Sequence, residues 1–499
     1  MRETRASQEL STPNEIVTFW DSCRFAARVI TYHEEISAVS VLPITNPVST
    51  LSLSDADYRR DLGNGLLLRW STAADIEGLV QLYSYVFRDG PEHPLNHPLA
   101  AWTREMMSGE HPLITSGDFA LVEDTRRRGI VAGTCLLSQT WEYAGIPFPV
   151  GRPEMVASHP DYRNRGLVRA VFELIHARSA ARGHLVQGIT GIPYYYRQFG
   201  YEYALDLGGG RALHLATIPA LARDAPEPYR LRDATLQDLP LVRSLYDREQ
   251  AGALISTRID ERYWRFLLDG VRRDSGEYSR LQLILNAANR PVGYVATSRV
   301  RWGTDLGVVG FAVEPGISLI AVLPSVLRAL QSQVDSLLAP RPDMPAVQRI
   351  LFALGRSHRL YDALGEALAC RHHAPYAWYV RVANLPAFIG HIAPVLERRL
   401  SDSVLAGYTG DLTLDFYRGG LRLRFEHGRF VVAEQWHAQV WGNQGAAGFP
   451  PLVFLQLLFG HHSLSELRRA FPDVWAEDEA KPLVEALFPP QPSWVRPLS

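Results

Sequence analysis

Arg163, Arg165 and Gly166 stand close together in the run Glu154-Met-Val-Ala-Ser-His-Pro-Asp-Tyr-Arg-Asn-Arg-Gly-Leu-Val-Arg-Ala-Val171. Met155 to Ser158 reads as a strand that Pro160 ends. From Leu167 the apolar residues recur at 167, 170, 171, 174 and 175, the stripe of a one-sided helix, and Gly183 is a good residue to stop it. Between strand and helix, unpaired N–H groups at a helix start share one small volume with two guanidiniums and a residue without a side chain. That combination suits a pyrophosphate. It is neither a Walker loop, whose G-x-x-x-x-G-K-[ST] is absent, nor a G-x-G-x-x-G directly after a strand.

The elements downstream narrow the chemistry. His184 to Thr190 is a second apolar strand, followed by Ile192-Pro-Tyr-Tyr-Tyr-Arg-Gln-Phe-Gly-Tyr-Glu202. Arg163-x-x-Gly166-x-Val168 resembles the [RQ]-x-x-G-x-[GA] coenzyme A loop of the GNAT N-acetyltransferases, with Val168 where a small residue is usual. Tyr195, Tyr196, Gly200 and Tyr201 resemble the F-Y-x-x-x-G-[FY] signature that follows the second central strand in those enzymes. Two motifs in the right order are more specific than either one.

The chain has 499 residues, 46% hydrophobic and 21% charged, with a net charge of −2. Its length suggests three domains and its composition is that of a soluble globular protein. The charge gives no electrostatic reason to expect nucleic acid. No stretch of about 18 apolar residues indicates a membrane span, and the N-terminus lacks a signal-type apolar run. Cys23, Cys135 and Cys370 are scattered without ligand spacing, and read as buried thiols in a reducing cytoplasm. His461-His462 invites a metal reading, but no third ligand has suitable spacing, so a surface or capping role is expected and no metal.

Residues 1–60 show no running period and form an N-terminal extension whose composition is compatible with partial disorder. From Leu66 the order of elements is β-α-α-β-β-β-α-β-α, with a hairpin across the exposed turn Arg126-Arg-Arg-Gly129. A shift of 163 superposes Leu68, Arg69, Thr72, Asp75, Leu82 and Tyr83 on Leu231, Arg232, Thr235, Asp238, Leu245 and Tyr246, all identical. Tyr361-Asp-Ala-Leu-Gly365 likewise echoes Tyr196-Arg-Gln-Phe-Gly200. The second copy lacks Arg-x-x-Gly and has Glu314 where phosphates would sit, so repulsion should exclude coenzyme A there. The expected architecture is α/β (α+β): a catalytic GNAT domain over 61–215, a degenerate second one over 226–383, both with mixed central sheets flanked by helices, and a sterol-carrier-like α+β domain over 384–499.

That domain order resembles the enhanced intracellular survival (Eis) family of acetyltransferases. The resemblance implies acetyl-CoA as cosubstrate, held by Val156, Ala157 and Ser158, by Arg163, Asn164, Arg165, Gly166, Leu167, Val168 and Arg169, and by Gly191 and Ile192. It implies Tyr196 as general acid and the terminal carboxylate, here that of Ser499, as general base. This tail, however, lacks the family's aromatic ending. Asp89 falls where family members present an acid to a cationic substrate, although Arg88 and Gly90 equally suit a plain turn. The family also implies a polyamine, aminoglycoside or lysine-type acceptor and a hexamer.

The chemistry is self-consistent. A backbone N–H near Val156 to Ser158 can polarise a thioester carbonyl. A tyrosine with an ordinary pKa of about 10 keeps its proton at neutral pH and can give it to a departing thiolate. A carboxylate can draw a proton from an ammonium. Two other readings stay open: the three tyrosines 194–196 form a packing cluster, or the protein is a lipid-binding scaffold in which the carrier-like domain acts and both GNAT copies are inactive.

Overall fold

The computed structural model describes residues 52–272, 274–275, 279–339, 344–439 and 444–498. The first half of the chain supplies β1 (Arg59–Asp61), β2 (Leu66–Trp70), β3 (Phe119–Asp124), β4 (Gly129–Tyr143), β5 (Ile146–Ser158), β6 (Val186–Ile189), β7 (Glu202–Leu207) and β8 (Gly210–His214). Then follow β9 (Tyr229–Asp233), β10 (Ile255–Arg258), β11 (Ser279–Asn286), β12 (Pro291–Ser298), β13 (Asp305–Val313), β14 (Arg349–Phe352), β15 (Arg371–His373) and β16 (Tyr376–Arg381).

The two-residue alternation of β3 and β4 sends successive side chains to opposite faces, and a different helix covers each face. Ala120, Val122 and Leu136 pack with Leu167, Val171, Leu174 and Ile175 of the helix Leu167–Ala181. Phe119, Leu121, Cys135 and Leu137 pack with Leu79 and Leu82 of Ile76–Val86 and with Trp102 and Met106 of His97–Met107. The sheet is thus the middle layer, and every residue expected to bind coenzyme A lies on it or at its upper end. Ser52 to Arg60, assigned by sequence to the extension, is built onto this layer: the Leu53 carbonyl accepts from Trp70 Nε1 at 2.9 Å, and Tyr58 is buried. The rest of the extension, residues 1–51, lies outside the described residues.

The first sheet runs β1-β2-β3-β4-β5-β6-β16-β7, with β10 added alongside the far half of β4; the second runs β15-β8-β14-β13-β12-β11-β9. Each sheet is therefore completed by a strand from the other repeat. In the first, Tyr379 of β16 pairs with Ile189 on one side and Tyr203 on the other. In the second, Ala212 of β8 pairs with Leu351 on one side and Arg371 on the other. The sequence limits at 215, 226 and 383 divide the chain in order but do not divide the sheets, because local alternation carries no information about which sheet a strand joins.

The identical residues of the two copies build the same turn. Thr72 with Asp75 and Thr235 with Asp238 form capping boxes. Arg69 grips Asp75 with two bonds of 2.8 and 2.6 Å, and Arg232 grips Asp238 at 3.0 and 2.9 Å.

The last part forms a third sheet from Gly410–Asp415, Gly420–Glu426, Arg429–Trp436, Ala447–Gly448 and Trp475–Ala476, backed by helices that include Ala393–Ser401 and Lys481–Leu487. Its core is continuous with the lower first sheet, where Trp141, Phe148 and Trp378 meet Phe388, Leu396 and Phe459. One sequence expectation is corrected: Cys135 is buried but Cys370 is exposed, since it follows the helix Leu360–Leu368 in the link to β15 and not on a core face. Cys23 lies outside the described residues.

Candidate active site

The site begins where two parallel strands part. Between Gly133 and Cys135 the register of β4 against β5 shifts, so that Gly133 faces Ala157 while Cys135 faces Glu154. One extra residue is thereby inserted in β5, a bulge, and Met155 takes the left-handed φ of 55° within it. β5 pairs with β6 only at Val150–Val186 and Gly151–Gln187, after which β6 continues against β16. From Arg152 onward the β6-facing edge of β5 has no strand partner among the described residues. Val156, Ala157 and Ser158 all lie on this unpaired stretch, with Ala157 buried and its two neighbours half-buried.

The turn that follows is left open at its helix. Gly166 is the N-cap of Leu167–Ala181, with φ of 72°, no side chain capping the helix and no acidic residue in the first turn. A Cβ on Gly166 would meet nothing within 4 Å, so the space beside the first amides is unfilled. Leu167 and Val168 turn their side chains into the core, leaving their backbone amides for any ligand. Arg163 and Asn164 are exposed, and Asn164 is also left-handed at 60°. Arg165 lies over the Tyr162 ring at 4.9 Å and donates to the Asp161 carbonyl at 2.9 Å. Tyr162 in turn donates to Asp124 at 2.6 Å, which ties the turn to β3. Arg169 reaches Gln198 at 3.2 Å, linking this helix to the segment that carries Tyr196.

Tyr196 starts the short helical turn Tyr196–Phe199 and is 2% exposed. Its ring packs between Phe172, at 5.9 Å, and Tyr379, at 5.3 Å. Burial raises its pKa well above the ordinary value, and the charge of Glu154 on β5 adds to the rise. The Glu154 charge acts on the phenol from β5, which places Tyr196 within electrostatic reach of the cleft that opens where β5 and β6 part. Among the described residues its hydroxyl makes no hydrogen bond. Gly191 and Ile192 form the loop between β6 and Tyr196.

Ser499 lies outside the described residues, but the tail leading to it does not. Trp494 N donates to Ile255 O at 2.8 Å, Thr257 Oγ1 donates to Arg496 O at 3.0 Å, and Gln139 donates to Leu498 O at 2.6 Å. Arg152 also donates to Leu498 O and is ion-paired with Glu154. The tail thus reaches β4 and β5 at the level where β5 parts from β6. Asp89 is exposed in the loop between Ile76–Val86 and His97–Met107. His461 is not at the surface: its Nδ1 lies 3.7 Å from Asp206, and burial, with His462 beside it, pushes its pKa down to about 4. Among the described residues no cluster of three metal-ligating side chains occurs, and no helix is long and apolar enough to cross a membrane.

Gln139, Arg152, Glu154, Tyr203, Tyr376 and Tyr379 are the residues at this cleft that the motifs do not mark. Arg152 and Glu154 carry a weak signal, two opposite charges in an otherwise apolar strand. The tyrosines of β16 carry none, because they lie in the other repeat.

Open edge, uncapped helix and buried tyrosine define a class. Residues 68–204 match the acetyltransferase (GNAT) domain family. This architecture is that of an acyltransferase and implies transfer of an acyl group from an acyl-CoA to an acceptor.

Solved structures extend the likeness over most of the chain. A conserved protein of unknown function from Enterococcus faecalis V583 superposes with a TM-score of 0.58 at 15% identity, covering 86% of this chain and 97% of that one. A GCN5-related N-acetyltransferase from Kribbella flavida gives 0.56 at 16%, covering 86% and 97%. Eis1 from Mycobacterium abscessus gives 0.52 at 14%, covering 86% and 98%. At these identities the likeness is one of fold. A search of curated protein sequences finds no match.

Proposed function

We propose that the protein is an acetyl-CoA-dependent N-acetyltransferase of Eis-like type, acetylating a primary amine of polyamine, aminoglycoside or lysine type, with only its first repeat catalytic. The observation that carries this reading is the uncapped start of Leu167–Ala181 beside the unpaired edge of β5. Amides and space are both free there, which suits a diphosphate at the helix and a pantetheine arm along the strand. Arg163 and Arg165 supply positive charge, and the amides of 156–158 supply donors for a thioester carbonyl.

In this reading the acceptor nitrogen attacks the thioester carbonyl, the C–N bond forms and the C–S bond breaks. Tyr196 donates its phenolic proton to the departing sulfur. Its raised pKa keeps that proton in place at any physiological pH. The proton lost by the amine goes to a carboxylate, for which Ser499 is the candidate: Gln139 and Arg152 hold the carbonyl just before it. Asp89, exposed on the neighbouring loop, is assigned to attracting the cationic acceptor.

Calorimetry with coenzyme A is the test of the cofactor. Binding at one site per chain is expected, and no heat at high micromolar ligand would favour the lipid-carrier reading instead. For the base, one added C-terminal residue should impair turnover, and an unaffected rate would remove Ser499 from the mechanism. A panel of amines with thiol release as readout would identify the acceptor.

A further inference from the structure

We propose that Tyr379 and Tyr376, on the strand that crosses from the second repeat, are positioning residues that hold the Gly191–Tyr194 loop and set Tyr196 against the cleft. This rests on the acetyl transfer assigned above.

Three hydroxyls meet behind that loop. Tyr376 donates to the Gly191 carbonyl at 3.2 Å and Tyr379 to the Ile192 carbonyl at 2.9 Å. Tyr203 Oη lies 2.6 Å from Tyr379 Oη and 2.9 Å from Tyr376 Oη, and accepts from the Tyr194 N–H at 2.8 Å. Two phenolic protons go to the loop carbonyls, and the third, from Tyr203, serves one of its two neighbouring hydroxyls, while its oxygen takes the Tyr194 amide. Three backbone groups of one loop are thereby fixed by three side chains, two of them from more than 170 residues away in sequence.

The loop needs such support. Tyr194 has φ of 63°, an unfavourable setting for a side chain of that size, and it is 68% exposed, so packing does not hold it. The same Tyr379 ring stacks on Tyr203 at 4.1 Å and meets Tyr196 edge-on at 5.3 Å. One side chain of the second repeat therefore fixes both the rim of the cleft and the orientation of the tyrosine behind it. The groups acting on Tyr196 are Glu154 from β5, Tyr195 and Tyr201 from its own segment, and Tyr376 from β16. Loosening the loop admits water among them.

The experiment uses the full chain with Tyr379→Phe, which keeps the ring and deletes the hydroxyl, and with Tyr376→Phe as a second variant should the first not fold. At saturating acetyl-CoA and acceptor, kcat should fall by about tenfold or more, while the melting temperature and coenzyme A binding are largely kept. The pH profile should also change: turnover of the variant begins to fall below the pH at which the parent falls, as Tyr196 becomes hydrated. A general loss of stability would lower the active fraction without moving that limb. In a Tyr196→Phe background, Tyr379→Phe should add little. Unchanged kcat and pH profile in folded Tyr379→Phe, with Tyr196→Phe inactive, overturns the positioning role. Full turnover in Tyr196→Phe instead removes the acid assignment, and the positioning role with it.

Discussion

Two turns one repeat apart, Ser158 to Leu167 and Val313 to Leu319, both lead from a central strand into a helix, and they end in opposite states. In the first, Gly166 leaves the helix start uncapped. In the second, Ser318 accepts from Ala321 N at 3.4 Å, and Glu314 stands in the turn, paired with Arg290 at 2.6 Å. The tyrosines differ in the same sense. Tyr196 has no hydrogen bond to its hydroxyl among the described residues, whereas Tyr361 donates to the Phe352 and Gly355 carbonyls at 3.0 and 2.9 Å and accepts from Leu354 N at 3.2 Å. Since Arg69–Asp75 and Arg232–Asp238 are built alike, the scaffold of the two copies is shared. The two copies thus differ less in their scaffold than in whether the helix start is capped.

The largest expected difference lies in the tyrosines. Tyr196→Phe should lower turnover by about a hundredfold or more while keeping coenzyme A binding. Tyr361→Phe should leave turnover intact and cost about 1–3 kcal/mol of stability in urea unfolding, because Leu354 N and two carbonyls lose their partner. Equal kinetic effects would erase the distinction between the copies.

A smaller effect should follow from giving the first turn the second turn's solution. Gly166→Asp supplies a cap and a negative charge at a left-handed position that Asp tolerates, and should weaken coenzyme A binding by about tenfold or more in calorimetry. Glu314→Gln should leave the stoichiometry at one per chain. A second binding event in that variant would mean that charge alone had silenced the second copy.

The pH dependence sharpens the comparison further. With its pKa raised, Tyr196 stays protonated, so kcat should show no alkaline loss below about pH 10. The smallest effect concerns two half-buried neutral histidines, one in each repeat: His176 on its helix is pushed down to about 3 and His373 on β15 to about 4, in each case chiefly by burial. A folded-state pKa below the unfolded value means that the unfolded chain binds the proton first. Stability is therefore lost as pH falls from about 6.5 through the folded values, by roughly 1 kcal/mol per group for each pH unit in that window. His176→Gln should flatten part of that decline in thermal melts between pH 7 and 5, and an unchanged slope would show that carboxylates alone govern it.

Much of the corner was readable from the sequence because its elements are local. The strand ending at Ser158, the helix from Leu167 and the glycine between them each obey a short-range rule. The capping boxes and the repeat were legible for the same reason. Arg152 and Gln139 were not, since their partner, Leu498 O, lies more than 340 residues downstream. The tyrosines of β16 were hidden more deeply: they belong to no motif, and nothing local in the sequence says that the strand they occupy joins the first sheet. The surface position expected for His461 is not found for a related reason: it is half-buried beside Asp206 of β7, a neighbour distant in sequence.

Cutting the backbone between the two repeats, near Ala222, would give each half a slot one strand wide. The first half would lack the strand between β6 and β7, and would hold β8 with nothing to pair; the second would be the mirror case. Such halves should expose sticky edges when made alone and reassemble when mixed. A duplicated unit in this position can shed its ligand and still not be discarded, because its sister cannot close without it.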